Sequence, residues 1–160
     1  VEQRESNMLD DAAPWYTIYE TSDGQHRSVG AIEPQFFAQL CERIGLAPEW
    51  HAAQNDRMRW PQLREEMAAI FRGRTRDAWA ALLQDTYCCV APVLSLGEAA
   101  RHPHNSVRGT FVDVAGVSQP APAPRFSRTP SQAGQVAAQA TAGAEVLARW
   151  TREPAARSGT

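Results

Sequence analysis

Val29-Gly30-Ala31-Ile32-Glu33-Pro34-Gln35-Phe36-Phe37 is the stretch that decides the fold, because an extended run stops within it and a helix begins. Pro34 suits the first helical position, where its absent N–H costs nothing. Phe37, Leu40, Cys41 and Ile44 then recur at helical spacing until Gly45 ends the run. Upstream, residues 15–21 are rich in aromatic and β-branched side chains, and Ser22-Asp23-Gly24-Gln25 supplies turn chemistry before residues 26–32, so a β-hairpin is expected. Glu33 falls at the junction of strand and helix, where exposed backbone N–H groups and the helix dipole suit an anionic acceptor better than a general acid. On these grounds alone a plain helix-start residue is the favoured reading.

Working outward, the spacing predicts a compact α+β unit. Trp60, Leu63, Met67, Ile70 and Phe71 make an apolar helical stripe, with Pro61 near its start and Gly73 at its end. Thr75 is placed as the N-cap of a further helix, with Asp77 in its first turn and Trp79, Leu82 and Leu83 on its buried face. Residues 87–93 are expected as a short strand, Ser95-Leu96-Gly97-Glu98 as the capping box of a brief helix through Ala100, and residues 108–114 as another strand. After an Ala115-Gly116 turn, prolines at 120, 122, 124 and 130 argue against sheet pairing and for an extended connector. Residues 144–152 are expected to form a terminal helix with Val146, Leu147 and Trp150 on one side, leaving 154–160 as a flexible tail.

Composition is that of an ordinary globular protein: 43% hydrophobic, 21% charged, net charge −2. All 16 basic residues are Arg, a pattern that reads as coding bias more than mechanism. No basic run is present, and neither a nucleic-acid nor a membrane partner is expected. Arg57, Arg59, Arg64, Arg72, Arg74 and Arg76 cluster in sequence, but acids and apolar positions interleave with them, so a solvated helical face is expected. Cys41, Cys88 and Cys89 are an odd count without metal-ligand spacing, which fits a reducing cytoplasm. Cys41 on an apolar helix face, and Cys88 and Cys89 pointing to opposite faces of a strand, are read as packing residues. His102-x-His104 lies in a proline-containing loop without a third ligand nearby, and no metal site is expected.

Several colinear motifs carry a resemblance. Asn7-Met8-Leu9-Asp10, Pro14-Trp15-Tyr16, Tyr19-Glu20-Thr21-Ser22-Asp23-Gly24 and the opening stretch 29–36 come first, followed by Gln54-Asn55-Asp56-Arg57 with Trp60-Pro61 and Thr75-Arg76-Asp77 with Trp79. Cys89-Val90-Ala91-Pro92-Val93-Leu94-Ser95, His102-Pro103-His104-Asn105, Arg108-Gly109-Thr110-Phe111-Val112 and residues 119–127 complete the series. Over about residues 7–130 the chain resembles the second half of the α-methylacyl-CoA racemases, within the family III CoA-transferase superfamily. Family members commonly carry Gly-Gly where this chain has Asp11-Ala12, and two such residues cannot both visit positive φ cheaply.

The resemblance implies the small α+β domain of that fold: a short antiparallel sheet with packed helices, plus an extended C-terminal connector and a terminal helix. Members are more than twice as long, so the chain reads as a C-terminal fragment. Residues 1–14 would lead in from an N-terminal large domain, 15–115 form the small domain, 116–153 comprise the proline-rich connector and terminal helix, and 154–160 trail. The implied activity is isomerase chemistry of fatty-acid metabolism, inverting the 2-methyl centre of an acyl-CoA thioester through an enolate. A His and an Asp outside the matched portion exchange the protons. Glu33 matches the carboxylate that orients and stabilises that His, and Gly30, Ala31 and Ile32 match the loop beside the acyl thioester. One or two of the clustered arginines remain candidates for a CoA phosphate. CoA belongs to the substrate, so no separate cofactor is expected. An interlocked homodimer is the expected assembly at full length, and this chain alone is expected to be inactive and to expose apolar surface, especially around Trp15, Tyr16 and the proline-rich connector. Two other readings stand: a family III CoA-transferase moving CoA between carboxylic acids through an Asp anhydride, and a non-catalytic small-domain interaction module.

Overall fold

A tight turn joins the first two strands. Thr21 donates its hydroxyl to the Asp23 carboxylate at 2.6 Å, Thr21 N–H bonds to Gln25 O at 2.8 Å, and Gly24 takes φ 69°, a conformation glycine adopts without Cβ strain. Strands β1 (Tyr16–Glu20) and β2 (His26–Gly30) pair antiparallel from Tyr16 opposite Gly30 to Glu20 opposite His26. Strand β3 (Val90–Pro92) adds to the other edge of β2, with Val29 opposite Val90. The computed structural model describes residues 5–134 and 142–151, and the chain divides into two units, Val1–Ser95 and Leu96–Thr160.

Four helices complete the first unit: α1 (Pro34–Ile44), α2 (Glu49–Ala52), α3 (Trp60–Phe71) and α4 (Arg76–Leu83). Alternation along β1 and β2 turns Thr17, Tyr19, Arg27 and Val29 inward, where Phe37, Leu40 and Cys41 of α1 and Leu63, Met67 and Phe71 of α3 form the core. Tyr19 stacks on Phe71 at 5.1 Å, and Phe71 meets Trp79 at 5.3 Å. Gly45 closes α1 in the left-handed conformation, and Thr75 caps α4 by accepting the Ala78 N–H at 3.2 Å, as the sequence indicates.

Four expectations are corrected in this unit. The predicted strand 87–93 shrinks to Val90–Pro92, and Cys89, just before it, holds positive φ, which interrupts extended backbone. Cys88 is buried and Cys89 exposed, yet neither lies on a strand. The arginine cluster is not simply a solvated face: Arg57, Arg59 and Arg74 lie over the rings of Trp60, Trp50 and Trp79 at 5.1, 4.0 and 5.4 Å, and Arg76 is buried. Trp15 itself is buried and Tyr16 half-buried, so the exposed apolar surface nearby comes from Ile18 instead.

In the second unit, α5 (Leu96–Arg101) realises the capping-box segment, and α6 (Pro103–Val107) forms where a loop is expected, because Pro103 starts a short helical turn. The predicted strand 108–114 becomes β4 (Phe111–Val114). It pairs with β5 (Val117–Pro120), a hairpin the proline count argues against. Pairing is possible because Pro120 is the last strand residue, so the N–H groups of the ladder come from its predecessors. Ala115 and Gly116 both take positive φ, the geometry of a two-residue hairpin turn, and Asp113 accepts the Gly116 N–H at 2.9 Å. Helix α7 (Gly143–Trp150) matches the expected terminal helix; residues 154–160 lie outside the described residues.

Candidate functional site

Glu33 stands where β2 hands over to α1. Its backbone adopts φ −74° and ψ 137°, and its carbonyl accepts the Phe36 and Phe37 N–H groups, each at 3.0 Å, which starts the helix. Its side chain makes no capping bond and is exposed. The backbone therefore does the work of a helix start and leaves the carboxylate projecting. Close by, the exposed Cys89 thiol has its pKa raised, first by burial and then by the negative charge of Glu33 and by Cys88.

The loop leading to Glu33 is fixed from inside. Gly30 N–H bonds to Cys89 O at 2.9 Å, and Ile32 N–H closes a three-residue turn onto Gly30 O at 2.9 Å. Ala31 is fully buried, while Ile32 is 39% exposed. Gln54, 3% exposed, donates its side-chain amide to Ala31 O at 3.2 Å and Ile32 O at 2.9 Å. Its own carbonyl accepts both the Trp15 and Trp60 indole N–H groups at 2.9 Å.

A cleft of about 340 Å³ opens on the outer face of the sheet, lined by Asp11, Tyr16, Ile18, Ser28, Gly30 and Cys89. Asp11 holds φ 74°, so it alone of the Asp11-Ala12 pair takes the left-handed conformation, which Asp tolerates better than most residues. Arg64 fixes this path by donating to the carbonyls of Asp11 and Ala12, the latter at 3.1 Å.

Of the residues expected at the site, Gly30 lines the cleft, Ile32 and Glu33 project from the loop beyond it, and the methyl group of Ala31 faces the core. Gln54 is the residue that sequence reasoning leaves without a role. The motif Gln54-Asn55-Asp56-Arg57 marks its position, but nothing in sequence spacing indicates a bond to carbonyls 22 and 23 residues away.

Residues 1–144 match CoA-transferase family III, and the chain belongs to it. Among curated relatives it is similar to α-methylacyl-CoA racemase of Mus musculus, 42% identical over 129 residues covering 80% of this chain and 34% of the relative. It is likewise similar to α-methylacyl-CoA racemase of Homo sapiens, 40% identical over 130 residues with the same two shares. The chain thus spans about a third of the length of these relatives. Among solved structures, the Mycobacterium tuberculosis protein Rv3272 shares the fold with a TM-score of 0.62 at 19% identity, covering 76% of this chain and 36% of that one.

Proposed function

We propose that this chain is the small-domain portion of an α-methylacyl-CoA racemase-like isomerase, acting on 2-methyl-branched acyl-CoA thioesters. The carrying observation is the Glu33 carboxylate: it projects, uncapped, from an internally braced loop in a chain 40–42% identical to racemases. In this reading, a His and an Asp in the remainder of a family-length protein remove and return the α-proton on opposite faces. Glu33 accepts a hydrogen bond from the His ring, fixes its tautomer, and stabilises its protonated form, a charge-assisted bond of about 1.5–3 kcal/mol. Gly30, Ala31 and Ile32 border the thioester, with Ile32 supplying exposed apolar surface. The enzyme works as an interlocked homodimer in the cytoplasm; no helix among the described residues is long and apolar enough to cross a membrane. A CoA-transferase is the weaker reading, since the relative carrying that name, a CaiB/baiF CoA-transferase family protein of Caenorhabditis elegans, is 28% identical over 111 residues.

The test joins the chain to a family N-terminal portion and supplies (R)-2-methylacyl-CoA in deuterated water. Deuterium should enter C2 without CoA moving to an added free carboxylate. CoA transfer without exchange at C2 would overturn the proposal. The 160 residues alone should give no exchange above buffer.

A further inference from the structure

We infer that Gln54 is the positioning residue of this site: its buried side-chain amide clamps the Ala31 and Ile32 carbonyls and so fixes where the Glu33 carboxylate stands. The inference rests on the proposed function for its catalytic consequence, but its geometry stands independently. Both carbonyls precede Glu33 directly, and at 3.2 and 2.9 Å they take both donors that a carboxamide nitrogen offers. The clamp is itself anchored. Trp15 and Trp60 meet edge to face, 6.1 Å between ring centroids, and both indole N–H groups converge on the Gln54 carbonyl. A side chain 3% exposed whose amide nitrogen bonds only to loop backbone, on a main chain held by two indoles, transmits the packing of α3 and the β1 lead-in to a loop whose tip is in solvent. Catalytic groups need such support, because displacement by about 1 Å costs as much as ~100-fold in rate.

Gln54→Met keeps the length and removes both donors; the indole bonds to the main-chain carbonyl remain. In the 160-residue chain, 15N relaxation at Ile32 and Glu33 should fall from rigid values, S² about 0.85, toward below about 0.6, with Ile18 and Ser28 unchanged as hairpin controls. Gln54→Glu should loosen the loop at neutral pH, since a carboxylate faces two carbonyl oxygens. Acid should tighten it again as the carboxyl gains a donor, with burial moving that transition above the usual carboxylate range. In the assembled racemase, Gln54→Met should lower kcat by roughly 10- to 100-fold and change KM little. Unchanged relaxation at Ile32 and Glu33 in both variants would overturn the clamp, whatever the enzyme does. A loosened loop with unchanged kcat would overturn the positioning role. A wild-type assembly without racemase activity would sink the proposed function instead, while the relaxation data still decide the clamp.

Discussion

The two units of this chain obey the same local rules and differ in what those rules are attached to. In Val1–Ser95, helix caps, turns and strand pairs surround a shared core of aromatic and aliphatic side chains, and the Trp15, Trp50, Trp60 and Trp79 indoles each find an acceptor. From Leu96 onward, none of the described residues is buried; Leu96 and Trp150 are 90% and 80% exposed. Short helices and a tight hairpin still form there, because Pro at a helix start and an Ala-Gly turn act over a few residues. Local signals place elements. Burial fixes side chains, and among the described residues the buried side-chain bonds that hold a loop, those of Gln54, lie in the first unit.

That contrast can be broken by substitution. The largest expected effect is Phe71→Ala, which removes a fully buried ring lying against Tyr19 and Trp79 and should cost about 3–5 kcal/mol. Urea unfolding followed by tryptophan fluorescence measures it, and a loss under about 1 kcal/mol would show that the core of the first unit is not cooperative. The smallest is Trp150→Ala on α7, expected to stay within about 0.5 kcal/mol in the same assay. A loss above about 2 kcal/mol there would mean that α7 is packed as firmly as the first unit.

Much of the first unit was legible in sequence. The hairpin, α1, α3 and α4 follow from period and punctuation: Gly24, Pro34, Gly45, Pro61 and Thr75 each mark a boundary that the structure keeps within a residue or two. Helix α2 has four residues, too few to show a period, and α6 has five. The shortening of β3 was hidden because it rests on positive φ at Cys89, a residue type that does not announce it. The arginines misled for a related reason. Charge patterning counts neighbouring acids and cannot foresee a guanidinium lying on the face of a nearby indole. At the site, Glu33 and its loop were legible as a strand-to-helix junction, whereas the Gln54 clamp depends on long-range contact and left no periodic trace.

The most direct measurement is the turnover of Glu33→Gln in the assembled racemase. The substitution keeps the shape and a hydrogen-bonding group but loses the charge that the proposed function assigns to stabilising the His imidazolium. Turnover should fall roughly 10- to 150-fold with thioester affinity little changed, and the His limb of the pH–rate profile should move toward acid because its pKa falls without the carboxylate. Unchanged turnover with an unshifted profile would contradict the catalytic reading and return Glu33 to the role of a helix-start residue.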